Sequence, residues 1–155
     1  MGHISHRVHF DAPPELVFAR GTDPEFMPQY WPKMARIWDV VGRPDEVGSS
    51  FRFRERLLGR YYEGRTEVVA VEAPRMQTTL TTYSNGVRVR WEMRITPTDH
   101  GIDGVDEIDY EVPRGLLFAI ADRLVLRRAF ENALTHGGEK FKALVEAEAA
   151  AVPHA

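Results

Sequence analysis

Residues 51–112 alternate apolar and polar side chains between successive turn signals, a pattern that a run of antiparallel hairpins satisfies. Side chains two apart share a face of a strand, so each turn decides which residues look inward. The sharpest signal is Ser84-Asn85-Gly86-Val87, because Asn-Gly tolerates the positive φ angles of a two-residue type I′ loop. Closing the hairpin there sets Val89 opposite Thr82, Trp91 opposite Leu80, Met93 opposite Thr78 and Ile95 opposite Met76. Arg88, Arg90, Glu92 and Arg94 then face solvent.

Two further connections extend this register. A four-residue loop at 97–100 places Arg94 opposite Asp103, Arg90 opposite Glu107 and Arg88 opposite Asp109, opposite charges on the outer face. The same pairing sets Val89 against Ile108, Met93 against Gly104 and Trp91 against Asp106 on the inner face. Upstream, Leu58-Gly59-Arg60-Tyr61 closes as a two-residue loop with glycine at its first central position, which pairs Arg56 with Glu63 and Arg52 with Glu67. Phe51, Phe53, Glu55 and Leu57 then look inward with Tyr62, Gly64, Thr66 and Val68, and Glu55 stands opposite Gly64.

The inner face so defined is apolar and aromatic, with two acids, Glu55 and Asp106. A carboxyl group in an apolar cavity has its neutral form favoured by desolvation, so either acid is a candidate catalytic acid/base or a hydrogen-bonding partner for a ligand hydroxyl. The competing reading is structural: each acid pairs with an inward Arg, Tyr or Trp. Tyr62, Trp91 and Tyr110 offer apolar bulk with a polar edge, and Thr66, Thr78 and Thr82 add more hydrogen-bonding groups than a packed core needs. That excess predicts a ligand cavity. Phe51, Phe53, Val68, Met76 and Leu80 belong to the expected binding wall on one side; Val89, Met93 and Ile108 belong to it on the other.

The flanking segments are mixed helix and strand. A first strand is expected at 4–10, with Asp11 capping a short helix that begins at Pro13-Pro14. Asp23-Pro24 opens a second short helix ending near Trp31, and a strand follows at 35–41. A long helix is expected over 116–148, where Phe130, Leu134, Phe141 and Leu144 form one apolar stripe. Phe130 and Leu134 complete the expected binding wall. Gly137-Gly138 weakens the helix by roughly 1 kcal/mol per glycine relative to alanine, so a kink or break is expected there, and the chain is expected to fray from about residue 149.

With 155 residues the chain suits one domain. A net charge of −3 and a pI near 6.1 give no general attraction to nucleic acid or to anionic membrane. Arg52, Arg54 and Arg56 read as a charge-paired outer face. There is no cysteine, no signal-peptide pattern and no run of ~20 apolar residues, so a cytoplasmic protein without a membrane span is expected. His3, His6 and His9 alternate faces of a strand, which argues against a shared metal. Neither a nucleophile elbow nor a phosphate-binding glycine loop is present, and no cofactor is expected. A monomer or homodimer is expected.

Three stretches carry a family resemblance. Val8-His9-Phe10-Asp11-Ala12-Pro13-Pro14-Glu15-Leu16-Val17-Phe18 resembles the opening strand, Ala-Pro and helix of the START-like, or SRPBCC, superfamily. Val47-Gly48-Ser49-Ser50-Phe51-Arg52-Phe53 resembles its glycine-led third strand. Pro113-Arg114-Gly115-Leu116-Leu117, with Leu124-Val125-Leu126-Arg127-Arg128, resembles the start of its long helix. The similarity looks closest to the polyketide cyclase/dehydrase branch. It implies an α+β helix-grip fold: a curved antiparallel sheet of about seven strands around a long C-terminal helix, two short helices after the first strand, and a hydrophobic cavity between sheet and helix.

Members of that superfamily include lipid and hormone carriers, aromatase/cyclases and activators that bind other proteins. The resemblance therefore implies binding of a hydrophobic small molecule such as a lipid, polyketide or aromatic metabolite. The alternatives are a cyclase-type enzyme working through Glu55 or Asp106, and a protein-binding regulator using a surface around Phe26, Trp31 and Trp38. In family cyclases an arginine often reaches the cavity; here Arg52, Arg54, Arg56, Arg65, Arg88, Arg90 and Arg94 are all expected outside, which weakens the enzyme reading.

Overall fold

The computed structural model describes residues 2–31, 33–57, 59–113 and 120–152, with backbone alone at 120–123. The elements run β1 (Gly2–Phe10), α1 (Pro14–Gly21), a 3-10 turn (Met27–Gln29), β2 (Met34–Val41), β3 (Ser50–Leu57), β4 (Arg60–Glu72), β5 (Met76–Tyr83), β6 (Arg88–Thr98), β7 (Gly101–Glu111) and α2 (Ile120–Ala151). The strands form one sheet in the order β1-β7-β6-β5-β4-β3-β2. Every neighbouring pair is antiparallel, and α2 lies across one face. Among the described residues no helix is long and apolar enough to cross a membrane.

The turns differ from expectation, each by a definite number of residues. At Ser84-Asn85-Gly86 only the glycine has a positive φ, +88°, so the two positive angles of a type I′ loop are not met. The Tyr83 N–H donates to the Val87 carbonyl at 2.9 Å and the Gly86 N–H to the Tyr83 carbonyl at 2.9 Å, which closes a three-residue loop. The Asn85 side chain accepts the Val87 N–H at 3.1 Å. One residue more in the loop shifts the pairing by one, so Val89 pairs with Thr81 and Trp91 with Thr79. A shift of one exchanges the faces of β5.

The other two connections shift by two, which leaves the faces unchanged. Residues 99–100 form a two-residue loop rather than four, pairing Trp91 with Ile108, Met93 with Asp106 and Arg90 with Asp109 instead of Glu107. Between β3 and β4 Leu57 pairs with Arg60, so that Arg54 pairs with Glu63, Arg52 with Arg65 and Glu55 with Tyr62. Phe53, not Glu55, stands opposite Gly64, and its ring occupies the space a side chain there would fill.

Two of the flanking expectations also change. Pro13, not Asp11, caps α1; the Asp11 N–H instead donates to Glu146 of α2 at 3.3 Å. The second short helix contracts to the 3-10 turn, because Asp23 Oδ1 accepts the Glu25 N–H at 2.9 Å and turns the chain before a helix starts.

The long helix is continuous through Gly137-Gly138 and reaches Ala151, beyond the expected fraying point. Its buried stripe is Leu126, Phe130, Leu134, Phe141 and Val145; Val145 is fully buried in place of the expected Leu144. The glycines are explained by proximity rather than by a kink. A Cβ at Gly137 would lie 3.2 Å from the Trp31 indole, and one at Gly138 would lie 3.0 Å from the His6 imidazole. The helix needs both missing side chains to approach the segment before β2 and strand β1 this closely.

The observed register is testable at the outer face. Arg54 and Glu63 bridge at 2.9 Å and both are about half exposed, so their coupling is small. Arg54→Glu combined with Glu63→Arg is expected to be better tolerated than the two single changes summed, by about 0.2–1 kcal/mol in a double-mutant cycle of denaturation free energies. Additive single effects would overturn the pairing.

Candidate functional site

A cavity of about 190 Å³ lies between the concave face of the sheet and α2. β6 supplies Val89, Trp91, Met93 and Ile95; β3 and β4 supply Phe51, Phe53, Glu55, Thr66 and Val68. Asp106 and Ile108 come from β7, and Phe130, Leu134 and Phe141 from α2. Tyr30 and Trp31 enter from the irregular segment before β2, and His6 from β1. Val40, Val41 and Gly42 line the cavity while remaining largely exposed, which places its mouth at the end of β2.

Two carboxyl groups define the polar features of the interior. Glu55 is only 4% exposed. Its Oε2 accepts the Trp31 indole N–H at 3.0 Å and its Oε1 the Tyr83 hydroxyl at 2.5 Å. Burial pushes the Glu55 carboxyl above the usual carboxylate range, against the opposing hydrogen bonds from Tyr83 and Trp31 and the charge of Lys33. Burial also raises the Tyr83 phenol, and the neighbouring Glu55 raises it further.

Asp106 is arranged differently. Its Oδ1 accepts the Trp91 indole N–H at 2.8 Å, a diagonal contact between adjacent strands. Its Oδ2 has His6 Nδ1 at 3.9 Å, beyond hydrogen-bond reach. The Tyr30 phenol is raised by burial and then by the negative charges of Asp106 and Asp23. Trp31 and Trp91 join the two ends, their ring centroids 5.7 Å apart. Across the sheet, the Thr66 and Thr81 hydroxyls bond each other at 2.8 Å, and the Gln77 amide donates to the Pro44 carbonyl at 2.8 Å. Among the described residues no buried side-chain nitrogen or oxygen lacks a partner, and no cluster of His, Asp and Glu suits a metal ion.

The structure places Glu55, Asp106, Phe51, Phe53, Thr66 and Val68 at the cavity, together with Val89, Trp91, Met93, Ile108, Phe130 and Leu134. Tyr62 and Tyr110 do not line it: Tyr110 stacks on Phe130 at 5.8 Å in the core, and Tyr62 is half-buried opposite Glu55. Met76, Thr78, Leu80 and Thr82 are corrected to the outer face by the three-residue turn, and Gln77, Thr79, Thr81 and Tyr83 take their place. Thr78 is nonetheless buried, covered on that face by Met76 and Glu92.

Tyr83, Tyr30, Trp31 and His6 join the cavity wall without having been expected there. Counting a three-residue loop with glycine in the left-handed position would have found Tyr83; Trp31 sits in a segment without periodicity. The expected surface around Phe26, Trp31 and Trp38 is also corrected. Trp31 is buried against Glu55, Phe26 packs on Phe141 at 6.4 Å, and Trp38 is half-buried with the Arg36 guanidinium 5.0 Å above its ring. The seven outer arginines are all exposed.

The Glu55 arrangement has a pH signature. A carboxyl whose folded pKa is raised contributes stability that is fully present below its unfolded value of about 4.3 and is lost as pH rises through the folded value. Denaturation series from about pH 4 to 8 are expected to show the parent protein losing stability relative to Glu55→Gln as pH increases. A variant deficit that widens with pH would show that the fold favours the ionised form. Tyr83→Phe, which strips one donor from the acid, is expected to lower stability by about 1–3 kcal/mol at neutral pH in the same assay.

Comparison with known proteins locates this architecture. A START superfamily protein from Mycobacterium smegmatis superposes with a TM-score of 0.75 at 18% identity, covering 94% of this chain and 98% of that one. The Zhui aromatase/cyclase from Streptomyces sp. R1128 gives 0.74 at 16% identity, covering 94% of this chain and 93% of that one. A protein from Thermus thermophilus gives 0.75 at 18%, with 95% and 99% covered. At these identities the likeness is one of fold. No curated protein matches the sequence. The family described as polyketide cyclase / dehydrase and lipid transport matches over residues 1–146, and the chain belongs to it.

Proposed function

We propose that this member of the polyketide cyclase / dehydrase and lipid transport family binds a compact, largely apolar molecule between its sheet and α2. The observation that supports the reading is the cavity itself: about 190 Å³, walled mainly by aliphatic and aromatic side chains, with a few convergent polar groups and a mouth at Val40 and Val41. A cavity of roughly 150 Å³ holds benzene, whereas drug-sized ligands occupy roughly 300–1,000 Å³. The volume therefore favours a molecule of one or two rings over an extended lipid or a poly-β-keto chain.

A cyclase-type acid/base activity is the second reading, favoured by the cavity-lining Asp106, whose Oδ2 lies 3.9 Å from His6 Nδ1 and has no hydrogen-bond donor among the described residues. Glu55 is the weaker catalytic candidate, because both its oxygens are already engaged. If Asp106 acts on a substrate, Asp106→Asn is expected to eliminate turnover while binding persists; equal turnover in the variant would remove this reading.

Binding is tested directly with an apolar fluorescent probe. The folded protein is expected to bind it saturably at one-to-one stoichiometry. Val89→Trp, which fills the lumen from β6, is expected to abolish the signal while the circular dichroism spectrum is kept. Probe uptake only on unfolding would mean the interior is packed.

A further inference from the structure

We infer that the occupant is an amine: a compact ring-bearing molecule whose ammonium group sits against Asp106, among the indoles of Trp91 and Trp31 and the Tyr30 phenol. The inference rests on the ligand-binding reading above and names the ligand class for that site.

Among the described residues that line the cavity, the ionisable groups are Glu55, Asp106, His6, Tyr30 and Tyr83, with no arginine or lysine. A ligand carboxylate would add a third acid to a largely apolar space whose lining carries no arginine or lysine to meet it, which desolvation disfavours. A cation meets the opposite sign.

The two acids are not equivalent. Glu55 has a donor on each oxygen and is sealed from solvent. Asp106 lines the lumen with a hydrogen-bond donor on Oδ1 alone, and its side chain is 24% exposed, so Oδ2 is left as an acceptor without a donor among the described residues. His6 is too distant to bond that oxygen, at 3.9 Å.

The aromatic rings supply the third element. The Trp31 and Trp91 ring centroids lie 5.7 Å apart with their planes tilted at 57°. Tyr30 also lines the cavity, its ring 4.8 Å from that of Phe141, and the Asp106 charge raises its phenol. Indole and phenol faces attract ammonium groups, indole most strongly, and more so when water is excluded. The Asp106 carboxylate and the indoles, with aliphatic walls from Val89 and Ile95 on either side of Trp91 and Ile108 opposite it, match a cationic head on an apolar body.

The test uses three probes of nearly equal shape: 3-phenylpropylamine, 3-phenylpropan-1-ol and 3-phenylpropionate, titrated at neutral pH into the full chain by calorimetry. The amine is expected to bind about tenfold or more tightly than the alcohol, with the carboxylate weakest. In Asp106→Asn the amine is expected to fall to the level of the alcohol, whose own affinity holds. An alcohol or carboxylate that binds as tightly as the amine overturns the inference. An amine advantage that survives Asp106→Asn does the same, as does failure of all three probes where the apolar fluorescent probe still binds. In each of those cases the ligand-binding reading stands. Failure of the fluorescent probe itself would remove that reading first. The ranking in the parent protein decides the matter even if the variant does not fold.

Discussion

One α-helix cannot cover a face of a seven-stranded sheet, and most of this molecule follows from that mismatch. Strands about 4.8 Å apart make a sheet roughly 29 Å wide, against a helix about 10 Å across. The sheet must curl toward the helix, and the register shifts in β2 and β4 mark where it bends. One core forms around Ile108, Phe130 and Leu134, a second around Phe10, Ile102 and Phe141. Members of both line the cavity, so the lumen is the volume left uncovered between two packed ends of the same helix.

An interior of this kind has to satisfy its polar groups without water-filled bulk. Each acid does so with an indole, a donor that brings a large apolar surface along with its single N–H. The arrangement also has a mechanical role. Trp31 follows the 3-10 turn in a segment with little regular structure, and its bond to Glu55 of β3 ties that segment to the sheet.

How far the fold is legible in the sequence depends on parity. The expected loops after β3 and β6 lie two residues out of register, and because the strand repeat is two, Phe53, Glu55, Trp91, Met93 and Asp106 remain inward. The expected loop after β5 is one residue out, and every expected inner residue of that strand turns over with it. The family motifs and the Phe130, Leu134 and Phe141 stripe make the helix-grip architecture legible. What they do not encode is the path of residues 22–31, where Tyr30 and Trp31 reach the interior from irregular backbone. The glycine pair is legible as an anomaly but not as a close contact, because approach to Trp31 is invisible in one dimension.

Gly137 and Gly138 therefore act as the gauge between α2 and the walls that carry Trp31 and His6. A single methyl group at either position works as a shim: it forces α2 and Trp31, or α2 and His6, apart by a few tenths of an ångström at a position that itself borders the lumen. Because Trp31 is bonded to Glu55 and His6 neighbours Asp106, the shim would tilt one acid's surroundings and spare the other's. Chamber size and the balance between its two acids can thus be retuned from two helix positions that carry no side chain, each acting on the neighbour of one acid.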